Sequence, residues 1–73
     1  MFKFKIGDTI VTKNKISFNE YDLVNVGEEG TIIHIDNTAE TTQPYLIEFK
    51  NTNYPHYGNK WWSYEDDIKL INE

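Results

Sequence analysis

The feature that most constrains this chain is its store of β-branched residues. Nine isoleucines, three valines and seven threonines make up about a quarter of the 73 residues. Two heavy atoms on Cβ suit an extended backbone better than a helix. Alanine occurs once, at Ala39, and leucine three times, at Leu23, Leu46 and Leu70. A helical chain of this size draws heavily on both. No window carries a sustained i, i+3, i+4, i+7 apolar pattern with caps. The fold class expected is therefore all-β.

Size narrows this further. Residues 1–73 make a single small domain. Such a domain buries only about 60 % of the surface its unfolded chain exposes. Large side chains must then fill the core. Phe2, Phe4, Phe18, Phe49, Trp61, Trp62 and five tyrosines supply them. The phenylalanines read as core, whereas the polar atoms of tyrosine and tryptophan favour partly exposed sites. Cysteine is absent, which excludes disulfides and thiolate metal sites. No apolar run approaches the roughly 20 residues that span a membrane. No apolar leader opens the chain, and a cytoplasmic location is expected.

The strands can be placed coarsely. Phe2, Phe4 and Ile6 alternate with Lys3 and Lys5, a period of two. Gly7-Asp8 interrupts, and Thr9 to Thr12 resumes. Residues 13–25 read as a long polar loop folded back on the core. Residues 26–30 form a turn, with Gly27 and Gly30 able to take positive φ. Residues 31–36 are the clearest strand, with His34 facing outward, opposite Ile33 and Ile35. Residues 37–44 are a polar loop. In residues 45–50, Tyr45, Ile47 and Phe49 share one face. Residues 51–60 form a second loop, 60–64 a short strand, Glu65-Asp66-Asp67 a tight acidic turn, and 68–71 a last strand. Five short strands at this spacing suit a small barrel or sandwich.

The order of these pieces resembles the SH3-like barrels, over nearly the whole chain from Phe4 to Ile71. Lys5-Ile6-Gly7-Asp8-Thr9-Ile10 opens it, followed by the long loop. Val26-Gly27-Glu28-Glu29-Gly30-Thr31-Ile32 leads into a strand pair. Trp61-Trp62-Ser63-Tyr64-Glu65-Asp66-Asp67-Ile68 precedes the last strand. The opening and closing segments look like small SH3-like proteins of phages and prophages of low-GC bacteria. The resemblance implies a five-stranded SH3-like barrel, with a long loop after the first strand and a short helical turn before the last. It also implies a possible phage accessory protein. Peptide-binding SH3 domains carry their tandem tryptophans mid-domain, so a proline-rich ligand is not implied. SH3-like barrels host many functions, and function has to be argued from the site.

Catalysis and metal binding find little here. Glu65, Asp66 and Asp67 are neighbours on a turn and point in different directions. Ser17 and Ser63 sit in no nucleophile elbow. His34 and His56 match no metal-ligand spacing. No catalytic residue, metal or cofactor is expected. Charge is more informative. Twelve acids face seven lysines and no arginine, for a net charge of −5. Residues 1–15 hold Lys3, Lys5, Lys13 and Lys15 against Asp8, or +3. Residues 16–73 hold three lysines against eleven acids, or −8. The four N-terminal lysines allow a nucleic-acid-associated reading of the KOW or Tudor kind. They equally suit an edge strand guarded against pairing. The acidic body and the missing arginine oppose binding to nucleic acid.

The positive signal is aromatic. Tyr54, His56, Tyr57, Trp61, Trp62 and Tyr64 lie within eleven residues. Alternation sends Trp61 and Trp62 to opposite faces of one strand. Tyrosine and tryptophan are enriched at interface hot spots. The same residues could instead seal the barrel mouth. The expectation is a non-catalytic protein-interaction module, monomeric or weakly dimeric. Its contact residues are expected to be Tyr54, His56, Tyr57, Trp61, Glu65 and Asp66. Its acidity suits a basic partner, such as a nucleic-acid-binding host protein whose basic groove it occupies.

Overall fold

A computed structural model describes residues 2–38 and 41–73. Ala39 and Glu40, in the expected 37–44 loop, and Met1 lie outside the described residues. Among the described residues seven strands form: β1 (Thr9–Thr12), β2 (Ile16–Phe18), β3 (Tyr21–Val24), β4 (Glu29–Ile35), β5 (Tyr45–Phe49), β6 (Lys60–Ser63) and β7 (Ile68–Leu70). The helical parts are two short 3-10 turns, Tyr57–Asn59 and Glu65–Asp67. The protein is all-β, and a helical turn does precede the last strand.

Five strands make one antiparallel sheet in the order β6-β5-β4-β1-β7, and β2-β3 is a separate hairpin. Among the described residues no ladder joins β6 to β7, so the sheet is not closed into a barrel. The expected long loop after the first strand is instead largely this hairpin. Its two-residue turn is Asn19-Glu20, with Asn19 at φ 55, where asparagine is tolerated. Polar residues on the hairpin's outer face hid its inner apolar positions, Ile16, Leu23 and Val24. The alternation of residues 2–6 is not a strand. Asp8 Oδ2 accepts from the Lys5 amide at 2.9 Å, and the Asp8 amide donates to the Lys5 carbonyl at 3.1 Å. Gly7 at φ 95 completes that turn. Only Phe4 of the alternating set is buried; Phe2 and Ile6 are exposed.

The core joins Phe4, Ile10, Ile32, Ile47, Phe49 and Ile68 to the inner face of the hairpin. Tyr45, Ile47 and Phe49 do share one buried face, as their alternation predicts. Tyr45 is 0 % exposed, more buried than a tyrosine was expected to be. On β4 the register shifts between Ile32 and His34. Ile32 is fully buried, Ile33 partly, and Ile35 packs against the core, while His34 faces outward. The bulge thus changes which isoleucines face in.

Two devices hold the turns. The buried Thr12 hydroxyl donates to the Asn25 carbonyl at 2.6 Å and accepts from the Glu28 amide at 2.9 Å. That pins the β3–β4 turn, where Gly27 has φ 86. Gly30 was expected to serve the same turn. It lies instead inside β4, opposite Ile10 on β1 and Phe49 on β5. Its role is close approach, since a Cβ there would meet Ile47 Cγ2 at 2.6 Å.

Candidate functional site

The segment between β5 and β6 is tied to the hairpin. The Asn53 amide donates to the Leu23 carbonyl at 2.8 Å, and the Asn25 and Asn53 side chains bond each other. This anchoring brings Tyr54 against Tyr21 of β3, ring centroids 5.9 Å apart. The His56 amide closes a tight turn over Pro55 to the Tyr54 carbonyl at 2.8 Å. His56 then lies on Tyr54 at 4.2 Å. Tyr57 meets Trp61 edge-on at 5.9 Å. Tyr54, His56, Tyr57 and Trp61, four of the six expected contact residues, form one cluster.

Tyr57, Gly58 and Asn59 follow one another at φ 56, 68 and 60. Glycine and asparagine suit that region; a bulky aromatic does not. A residue held this way costs on the order of 1–3 kcal/mol. The ring it carries is 80 % exposed. Strain is thus spent on presenting a tyrosine to solvent rather than on filling the core. Tyr57→Gly should consequently be more stable than Tyr57→Ala by about 1 kcal/mol. Both remove the ring, but only glycine relieves the backbone. Equal urea midpoints for the two variants would show that no strain is stored there.

No protein-family model, curated protein or solved structure matches this chain. The site therefore has to be read from its own geometry.

Trp61 pairs with Ile47 and Trp62 with Leu46, so the two indoles do lie on opposite faces. Trp61 packs against the core and is half-buried; Trp62 is 39 % exposed and meets His34 edge-on at 6.0 Å. The more outward tryptophan is therefore Trp62, which the expected contact set left out. That set also missed Phe18 and Tyr21, exposed on the hairpin. The signal for them was the pair of aromatics flanking Asn19-Glu20, with asparagine tolerant of the left-handed turn conformation.

Glu65 lies elsewhere. Its Oε2 accepts from the Tyr45 hydroxyl at 2.5 Å and from the Lys3 amide at 3.1 Å. The Tyr45 hydroxyl also accepts from the Phe4 amide at 3.3 Å. These bonds hold the Glu65 carboxyl below the usual carboxylate range, the Tyr45 hydroxyl contributing most. Burial first, and Glu65 second, push the Tyr45 hydroxyl up to about 12. The carboxylate thus fastens the N-terminal segment to β5. Asp66 is exposed in the same turn, where its carbonyl accepts from the Asn14 side chain at 3.4 Å.

The four N-terminal lysines each have different local surroundings. The Lys3 ammonium lies 5.5 Å from the Phe4 ring, and Lys5 is in the Gly7 turn. The Lys13 amide donates to the Asp67 carbonyl at 2.7 Å, and Lys15 is ion-paired with Asp22 at 3.2 Å. Lys15, with Ser17, holds the Asp22 carboxyl below its ordinary range. Among the described residues no three histidine, aspartate or glutamate side chains gather to hold a metal ion. Among them, too, no helix is long and apolar enough to cross a membrane.

Proposed function

We propose that this chain is a non-catalytic protein-interaction module, which binds its partner through the aromatic surface between the β2–β3 hairpin and residues 54–62. The observation that carries the reading is the strained, solvent-exposed Tyr57 within a cluster of exposed rings. Phe18, Tyr21, Tyr54, Tyr57 and Trp62 are all exposed. Contiguous apolar exposure of that kind marks a binding surface more often than chance. Aromatic anchors in such surfaces commonly lose about 2–4 kcal/mol of binding when truncated.

Strand order supports an SH3-like architecture, because the last strand returns beside the first while the middle three form a meander. The sequence resemblance adds a phage accessory role in the cytoplasm of a low-GC bacterium. A basic host protein, one that itself binds nucleic acid, suits the net charge of −5. The nucleic-acid reading has less behind it. Stacking platforms for single strands combine aromatics with a positively charged groove, whereas Lys60, the one lysine of residues 54–62, is ion-paired with Glu48 at 3.7 Å.

Capture from a bacterial lysate tests the reading. Tyr57→Ala and Trp62→Ala should each lose the captured partner by at least tenfold, on the scale of a truncated hot spot. Both should keep their folding midpoints within about 0.5–1 kcal/mol of the parent. Alanine at Lys5 and Lys13 should leave capture unchanged. A partner retained by the aromatic variants and lost by the lysine variants would transfer the function to the basic edge. In that event, binding to short duplexes should also weaken steeply with salt.

A further inference from the structure

Three depressions lie side by side along the aromatic surface. The first is walled by Phe18, Tyr21, Tyr54 and Tyr57, the second by Ile16 and Trp62. Phe18, Leu23 and Trp61 border both, and each has a volume of about 270 Å³. Trp62 and Gln43 border the second and continue into the third, where Asp36 and Thr41 complete the wall. Each of the first two falls below the roughly 300–1,000 Å³ of a small-molecule pocket. Their size suits single side chains.

The chemistry changes along this track. The first two depressions are apolar and aromatic. The third holds Asp36, the only charged residue among the described residues lining the three. Backbone bonds fix its position: Asp36 Oδ1 accepts from the Thr38 amide at 3.0 Å, and the Asp36 amide donates to the Pro44 carbonyl at 2.8 Å. The exposed indole of Trp62 stands in the same depression. A carboxylate beside an exposed indole attracts a cation twice, by charge and through the ring face.

We propose that the track binds an extended peptide segment, with apolar side chains in the first two depressions and a lysine or arginine against Asp36 and Trp62. The proposal rests on the interaction-module reading and specifies its ligand. An extended segment advances about 3.3 Å per residue and sends alternate side chains to one face, so it can fill successive shallow depressions. A second copy of the chain is a poor occupant, since each copy carries −5. A phosphate backbone meets Asp36 and, among the described residues, no lysine in the track.

The test is an array of random ten-residue peptides probed with the full chain and with Asp36→Asn, Trp62→Ala and Tyr57→Ala. The parent should select two apolar positions followed at fixed spacing by lysine or arginine. Asp36→Asn should keep the apolar preference and lose the basic one. For a selected peptide it should weaken binding about tenfold at low salt, and the difference should shrink as salt screens the pair. Tyr57→Ala should lose selection altogether. Apolar selection with no fixed basic position overturns this proposal and leaves the interaction module standing. No selection by the parent, or self-association through the same aromatics, overturns both.

Discussion

Gly30→Ala should destabilise the protein by about 3 kcal/mol, the upper end of the cost of overpacking. The added Cβ would lie 2.6 Å from Ile47 Cγ2, 2.9 Å from Phe49 Cδ1 and 3.0 Å from the Glu48 carbonyl oxygen. The first two atoms lie near the base of side chains that are themselves buried in the core. The third is backbone in the neighbouring strand and cannot rotate away. Relief must come from spreading β5 from β4, the central strand of the sheet. Domains of this length are stabilised by only roughly 4–11 kcal/mol in total, so the loss is a large share. Urea unfolding measures it as a lowered midpoint at an unchanged slope. A loss under about 0.5 kcal/mol, the range of ordinary surface substitutions, would mean that the strands yield without cost.

Tyr45→Phe should cost about 1.5–3 kcal/mol, the range for losing hydrogen bonds to a charged group. Its hydroxyl serves both Glu65 and the Phe4 amide, so removing it takes the acceptor from the Phe4 amide and one of two donors from Glu65. The same pair gives the stability profile two limbs. The Glu65 carboxyl is held below its ordinary value of 4.5 when folded. Its contribution is complete above that value and is lost as pH falls through the folded one. The Tyr45 hydroxyl is raised from 10.0 to about 12. Its contribution is complete below pH 10 and is lost between there and about pH 12. In Tyr45→Phe the alkaline limb should flatten, and the acid limb should become shallower. Urea midpoints across pH read both. An alkaline limb unchanged in Tyr45→Phe would place it on another group.

How much of this was legible beforehand depended on whether neighbours along the chain decide the outcome. The strand Tyr45–Phe49 was readable because strict alternation puts Tyr45, Ile47 and Phe49 on one side whatever lies across from them. The aromatic stretch from Tyr54 to Tyr64 was readable as a candidate surface, because so many rings around a Gly, Asn and Pro-containing loop exceed what a connector needs. The hairpin was not, since Ile16, Leu23 and Val24 are inward residues scattered among polar outward ones, without long alternation. Glu65 was assigned to the surface for its charge. Its true partners, Tyr45 and the Lys3 amide, lie 20 and 62 positions away.

The sequence by itself determined the all-β class, the main-sheet strands and the opposition of Trp61 to Trp62. Those follow from β-branched content and a period of two, which act locally. Only the tertiary structure decided that Gly30 is a contact glycine, that Trp62 is the outward indole and that Phe18 and Tyr21 join Tyr54. It also separated Glu65 from the candidate surface and left the main sheet open at β6 and β7. Each of these depends on which distant segments meet, and local pattern does not carry that information.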